Sequence, residues 1–497
     1  MIDFILAFSP ILVIILLLFL LKKPLVSAAP LTYGYTALLA MLFWNMQLLE
    51  VSAATAKGLL VAIDIIIIIF GAIFFLEFLK ETKIINNLEA FISHISADKR
   101  LQGIIIAWFL ASFIEGTAGF GTPAAIVAPL LVGIGFPAVT AVSIALIADS
   151  TAAAFGAVGT PIRIGLAGLN VVGVPYYTAL INLIAGIIVP VMILAVIVLT
   201  SRNKNIKNIT EALPFAIWSG IAMTVPYFLA SFLGQEFPAL IGPLVGLFII
   251  IFTTKKGFLV PKNVWAFDES KLPERTKDKP LKTFMPHILL IVFLIIGKFT
   301  LSATPFNIYG NINHSINFFN PGFAFILAIL IFSLIYKSWD YIKPASKKSV
   351  HILFKPFVAI LFITAFVQIM VNSGNSSIPS MIQIIAEYLK TSLLPLIAPF
   401  IGGFGAFIAG SATVSNLLFG QFVFSSTKSL GMSTAIILAL QVVGAGMGNM
   451  IALTNIVAAQ ATVKLEGKET QILKINFIPF LIYGLIAGII GLILIFL

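Results

Sequence analysis

Five ionisable side chains lie inside otherwise apolar stretches of this sequence: Asp64, Glu115, Asp149, Arg163 and Lys298. A charge at membrane depth is costly, and it persists where it finds a partner, faces a water-filled cavity or carries an ion. Carboxyl groups kept from water can take up protons within reach of physiological pH. Glu115 and Asp149 are therefore the candidate proton carriers. Arg163 follows Asp149 across a stretch of small residues and has two readings, a static ion pair with Asp149 or a bidentate clamp on a substrate carboxylate. Lys298 reads as a side chain snorkelling to the outer interface. Asp64 is either a pathway residue or a packing one.

Small and polar residues interrupt the chain around these charges. Glu115 to Pro123 (EGTAGFGTP) separates the apolar runs 101–114 and 124–135, each too short to cross a bilayer comfortably. Residues 156–161 interrupt the long apolar stretch 138–173, residues 410–416 join the runs 393–409 and 416–425, and residues 444–449 interrupt 432–464. Hydrocarbon tolerates broken backbone only where protein or a water-filled cavity surrounds it. Each new helix start also presents unpaired N–H groups and a partial positive charge, which suit an anion. The candidate substrate-binding residues are Thr117, Gly119, Gly121, Thr122, Ser150, Thr151, Gly159, Thr160, Arg163, Ser411, Thr413, Ser415, Asn416 and Asn449, whose hydroxyls, amides and freed backbone can bind a carboxylate and a neighbouring hydroxyl. Close helix packing is the other use of such glycines. Four interruptions in corresponding positions favour a site.

The elements that must carry these residues are membrane helices. Of the 497 residues, 60% are hydrophobic and 10% charged, with a mean hydropathy of +1.10, which describes a polytopic membrane protein. The expected fold is all-α, with about twelve transmembrane elements, two re-entrant hairpins and two discontinuous helices. An order of span, amphipathic segment, hairpin and interrupted helix occurs at 58–200 and again, inverted, at 351–497. Residues 201–350 supply connecting spans and a loop at 255–284. Inverted repeats with broken helices meeting near the midplane are a recurrent transporter plan. One integral domain is expected, and the asparagine-rich stretch 304–320 reads as an extracellular loop.

Charge placement gives the orientation. With the N-terminus outside, Lys22, Lys23, Lys80, Lys83, Lys99 and Arg100 fall on the cytoplasmic side, as do Arg202, Lys204 and Lys207 and the loop bearing Lys262, Lys271, Arg275, Lys277 and Lys279. The net charge of +11 thus reflects topology and membrane-lipid contact, not nucleic acid. Cysteine is absent, which excludes disulfides, thiolate metal sites and thiol nucleophiles. No cofactor or metal is expected. His94 and His314 fall outside the spans and His287 and His351 at span ends, so no mid-membrane base supports an enzyme.

Four blocks, namely 98–102 (DKRLQ), 115–126 (EGTAGFGTPAAI), 131–136 (LVGIGF) and 146–162 (LIADSTAAAFGAVGTPI), resemble the lactate permease family of secondary carriers. The resemblance recurs at 410–416 and 444–451. It implies uptake of lactate or glycolate with protons across the plasma membrane. Where that family usually has aspartate, lysine, asparagine and an aliphatic residue, this chain has Ala412, Asn449, Asp149 and Arg163. An acid and a base have left the second repeat and one of each has appeared in the first, as if a charge pair had moved between corresponding positions. The expected partners are a small organic anion and protons, with a sodium-coupled or dicarboxylate carrier and a passive anion channel as alternatives.

Overall fold

The computed structural model describes residues 2–496 apart from 120, 170–171, 202–203, 269–271, 275–277, 302, 310–311, 376 and 389. Phe120 of the first interruption, Arg202, and Lys271, Arg275 and Lys277 of the loop lie outside the described residues.

The chain opens with α1 (Ile2–Phe19), α2 (Leu25–Phe43) and α3 (Leu48–Glu81), then a short amphipathic α4 (Ile84–Ile92). Gln47 and Glu50 exchange backbone and side-chain hydrogen bonds at the start of α3, a capping box that closes its first turn. Next, α5 (Lys99–Ile104), a π-helical stretch Ile105–Leu110 and α6 (Ala111–Thr117) run on to the first tip, from which α7 (Thr122–Gly133) returns. The first interrupted helix follows as α8 (Ala138–Ala152), a 3-10 turn Ala153–Phe155 and α9 (Gly156–Arg163). α10 (Val174–Ala185) and α11 (Ile188–Leu199) meet at a 41° bend.

Four longer helices then connect the halves: α12 (Ile206–Ser231), α13 (Pro238–Lys255), α14 (Pro280–Thr300) and α15 (Pro321–Tyr336). Between the last two, the expected loop is an antiparallel hairpin of β1 (Ala303–Tyr309) and β2 (Ile312–Asn317). The earlier order of elements now recurs. α16 (Ile342–Asn372) and the short α17 (Met381–Tyr388) precede α18 (Leu394–Ala409) and α19 (Ala412–Leu430), which meet at the second tip. α20 (Thr434–Met447), a 3-10 turn Gly448–Met450 and α21 (Leu453–Thr462) form the second interrupted helix, and α22 (Glu469–Phe496) closes the described chain.

Among the described residues, nine helices are long and apolar enough to cross a membrane, or ten if the bent pair is one span. Four shorter apolar helices accompany them. The two interrupted helices lie deepest. Every residue in the apolar window of 138–163 is buried, and 94% in that of 434–462, against 33–56% for the other long helices. Their broken backbone is thereby enclosed in protein, as hydrocarbon requires.

The second interruption sits later than the sequence suggested. Gly444 and Gly446 are still helical, and the chain departs from α20 only at Gly448–Ala452. A side chain at Gly444 would collide with the Pro399 carbonyl of α18, so this glycine serves close packing. The 98–102 block is structural too. Asp98 caps α5 by accepting from the Arg100 backbone, and its carboxylate holds the fully buried Arg100 guanidinium at 2.8 Å. Arg100 also donates to the Asn208 and Asn263 carbonyls, clasping the loop after α13 to the bundle.

Gly444→Ala is expected to lower stability by at least about 1 kcal/mol through overpacking of α18 on α20. Gly34→Ala, where a new methyl group meets nothing within 4 Å, is expected to leave it unchanged. Thermal unfolding of the detergent-solubilised protein reads both.

Candidate functional site

All four interruptions meet around one buried cavity. The first tip contributes Glu115, Gly119 and Gly121; the first interrupted helix contributes Ala153, Gly156, Ala157, Thr160 and Pro161. The second tip adds Gly410, Ser411, Ala412 and Thr413, and the second interruption adds Asn449. The free space between them is small, about that of one water molecule.

The backbone at these places cannot be regular helix. Ala157, Val158 and Gly159 all lie in the left-handed region, with φ of 41°, 57° and 79°. That conformation costs a β-branched residue such as Val158 roughly 1–3 kcal/mol, and it persists because the surrounding structure fixes it. Gly159 has a second constraint, since a side chain there would strike the Gln235 carbonyl. At the second tip, Gly410 takes φ 67° and Ser411 caps α19 by accepting from the Val414 N–H at 3.4 Å. The N-termini of α7 and α19 therefore reach the cavity, at Gly121 and at Ser411–Thr413. Helix starts so placed favour an anion. The α21 start lies beside the first tip instead, with Asn455 packed on Gly121 and donating to Asn449 at 3.4 Å.

Of the residues singled out from sequence, Glu115, Gly119, Gly121, Thr160, Ser411, Thr413 and Asn449 line the cavity. The rest of the set does not. Thr117, Thr122 and Ser150 turn their hydroxyls onto nearby carbonyls, of Ile114, Gly119 and Ile147, at 2.8–2.9 Å. Ser415 donates to the Gly402 carbonyl at 2.7 Å. Asn416 donates to the Pro161 carbonyl at 3.0 Å, tying the second tip to the first interrupted helix. Thr151 enters a buried network in which the Tyr227 hydroxyl donates to its carbonyl at 2.8 Å and Tyr483 donates to Asn182 at 2.9 Å. Sequence reading passed over Asn182, Tyr227 and Tyr483, although a buried amide in an apolar span was a usable signal.

Asp149 lies just behind the cavity wall. Its Oδ2 accepts from Asn449 at 3.1 Å, so two of the four positions that depart from the lactate permease pattern are in direct contact. The Asp149 and Glu115 carboxyl groups are also within hydrogen-bonding reach of each other. Carboxylates only accept, so a bond between them needs a proton. Glu115 Oε2 and Asp149 Oδ1 are fully buried and have no other partner among the described residues.

Arg163 does not join them. It pairs with Glu236 at 3.2 Å, donates to the Phe319 carbonyl and lies over the Phe319 ring, so the ion pair with Asp149, one of its two readings, does not form. Lys298 does not snorkel freely either, since it meets the other Glu236 oxygen at 2.5 Å. Asp64 adds its negative charge near Arg163, and its carbonyl accepts from Asn320. Glu236 was missed because it sits in a short connector, not inside an apolar run. Among the described residues no Lys or Arg lines the cavity, and the idea of a charge pair relocated intact into it is corrected accordingly. His287, expected at a span end, is fully buried between Phe75 and Phe113.

The chain matches the family described as L-lactate permease over residues 3–309 and 300–497. It is 31% identical to a putative L-lactate permease of Haemophilus influenzae, over 98% of each chain. The chain belongs to the L-lactate permease family. It is also 27% identical to the L-lactate permease of Escherichia coli, over 97% of this chain and 94% of that one. With the glycolate permease of the same species the identity is 26%, over 94% and 90%. Among solved structures, it is similar to the Alcanivorax borkumensis YdaH transporter at a TM-score of 0.44 and 13% identity, over 86% of this chain and 84% of that one, too distant to transfer topology. As a member of the L-lactate permease family the protein is a multi-pass membrane transporter of a small organic anion, not an enzyme.

Glu236→Gln is expected to destabilise this lactate permease family member by about 3 kcal/mol, because Arg163 and Lys298 lose their common counter-charge. The Arg163→Gln, Glu236→Gln double variant should lose less than the sum of the single changes. Unfolding in detergent at matched conditions measures the coupling.

Proposed function

We propose that the chain is a secondary active transporter that takes up small 2-hydroxy monocarboxylates, lactate or glycolate, together with protons. The observation that carries this reading is the meeting of four interruptions around one buried cavity, with the carboxyl groups of Glu115 and Asp149 beside it. The names of the relatives, L-lactate permease and glycolate permease, agree with that cargo. Helix starts at Gly121 and Ser411, the hydroxyls of Thr160, Ser411 and Thr413 and the Asn449 amide supply the donors for a carboxylate and an adjacent hydroxyl.

Glu115 and Asp149 are the coupling residues. An anion entering a cavity edged by two carboxyl groups and no base is repelled while both are ionised. Protonation of the pair removes that repulsion, so substrate and proton bind together, and loss of the proton on the cytoplasmic side helps expel the anion. The two halves, 58–200 and 351–497, form an inverted repeat around the cavity, with 201–350 as connecting scaffold. The N-terminus lies outside and the loop 255–284 lies in the cytoplasm of a plasma membrane protein.

Sodium coupling is the second reading, favoured by one specific feature: the partnerless oxygens of Glu115 and Asp149 would equally accept a monovalent cation. Uptake of labelled lactate into proteoliposomes, with pH and sodium gradients imposed separately, separates the two. Accumulation against the lactate gradient under a pH gradient alone is expected; accumulation under sodium alone would replace protons with sodium, and equilibration without accumulation would indicate a channel. Glu115→Gln and Asp149→Asn should each reduce pH-driven accumulation by at least about tenfold while keeping lactate exchange at equal pH. Glycolate should compete with labelled lactate, and malate should not.

A further inference from the structure

α16 is longer than a bilayer needs. Its 31 residues rise about 46 Å, against about 30 Å of hydrocarbon. The surplus lies at its N-terminal end, because the apolar run that closes at Val371 reaches back only to Pro356. Before it, Lys343, Lys347, His351 and Lys355 recur at every fourth position. At roughly 3.6 residues per turn they form one stripe along the helix, and all four are exposed. The opposite face, at Ala345 and Ser349, is buried.

Two features separate this stripe from an ordinary solvated face. Val350 and Phe354 stand on the same side of the helix and are 59% and 67% exposed, and Trp339 and Tyr341 are exposed just before it. Apolar side chains set among bases, with aromatic residues beside them, mark a helix at the level of lipid headgroups. The charges also lack internal partners. The nearby carboxylates of Glu77 and Glu81 are taken by Lys80 and Lys348, and Asp340 is the only acid between 337 and 372. Among the described residues Lys343, Lys347 and Lys355 form no ion pair. α2 brings further positive charge to the same level. The Tyr33 ring of α2 meets Phe362 of α16 at 5.5 Å, and Trp44, just past the end of α2, donates to the Pro379 carbonyl beyond the end of α16. The two helices therefore run in the same direction. Counting 11 residues back from each member of the ring contact reaches Lys22 and His351, and Lys22 and Lys23 are both exposed.

We propose that this surface binds an anionic phospholipid of the cytoplasmic leaflet, with Lys343, Lys347 and Lys355 on the phosphate and Val350 and Phe354 among the acyl chains. Lysines grouped at the cytoplasmic end of a membrane helix attract such headgroups electrostatically, and their long stems let the ammonium groups reach phosphate while the apolar neighbours stay in hydrocarbon. The lipid is seated on a firm pair of helices, since α3 touches the α16 backbone at Gly58, where a side chain would strike Ala365. The choice of leaflet rests on the orientation proposed above, whereas the lipid contact rests on neither the cargo nor the coupling ion.

The full chain in neutral detergent is titrated with phosphatidylglycerol or with phosphatidylcholine of the same acyl chains, and bound lipid is counted by native mass spectrometry. The unmodified chain is expected to prefer phosphatidylglycerol by at least about tenfold. Lys343→Gln, Lys347→Gln and Lys355→Gln together should abolish that preference without changing phosphatidylcholine binding, and arginine at the same three positions should keep it. Removing as many exposed charges elsewhere on that side, with Lys255→Gln, Lys256→Gln and Lys262→Gln, should leave the preference intact. Equal binding of the two lipids by the unmodified chain, or equal loss in both glutamine triples, would overturn the site. Displacement of phosphatidylglycerol by inorganic phosphate at the same concentration would make it a site for free phosphate and overturn the lipid. Sidedness is read separately. The chain has no cysteine of its own, so a membrane-impermeant maleimide should label Lys347→Cys in inside-out vesicles and not in intact cells; the reverse would overturn the leaflet.

Discussion

Backbone N–H and C=O groups released from a helix at membrane depth have no water to bind, and the fold is organised around that shortage. Of the helices long enough to cross a membrane, the two interrupted ones are the most enclosed, and both tips meet them at one cavity. The groups released at Ala157 and at 410–412 face a shared cavity instead of lipid. Once the broken segments are confined to one place, the donors they expose are confined there too. A site for a small anion is thus a consequence of how the breaks are accommodated.

The buried charges divide into two sets with different work. Glu115 and Asp149 sit at the cavity with no Lys or Arg lining it among the described residues. Arg163, Lys298, Glu236 and Asp64 gather at the connector between α12 and α13, where Glu236 is 2% exposed and bridges both bases. The same connector presses on the first interrupted helix at Gly159 and, through Ala239, on the first tip at Gly116. Cations are held out of the cavity by a better partner. That leaves the carboxyl pair without a basic partner among the described residues.

Glycine does three separate jobs within these segments. At Gly159 and Gly410 it supplies left-handed backbone; at Gly444 and Gly446 it lets helices touch; at Gly156 it makes room for the Glu115 carboxyl, whose Oε1 fills the space a side chain would need. One composition-level signal therefore covered three causes. That is why the second interruption was placed at 444–449 from its letters yet falls at 448–452 in the fold.

Membrane insertion, the long helices, the two tips and the first interrupted helix were legible because hydropathy and local breakers act within a few residues of one another. The involvement of Glu115, Thr160, Ser411, Thr413 and Asn449 in one cavity followed from the same signals. The engagement of Arg163 by Glu236 did not, because it depends on groups brought together from distant parts of the chain. Sequence determined which backbone would be broken and which side chains would be too polar for lipid. Tertiary packing decided which of those polar groups face each other, since the partner that neutralises a buried charge is the nearest one in space, and 73 positions of chain separate Arg163 from the carboxylate that claims it.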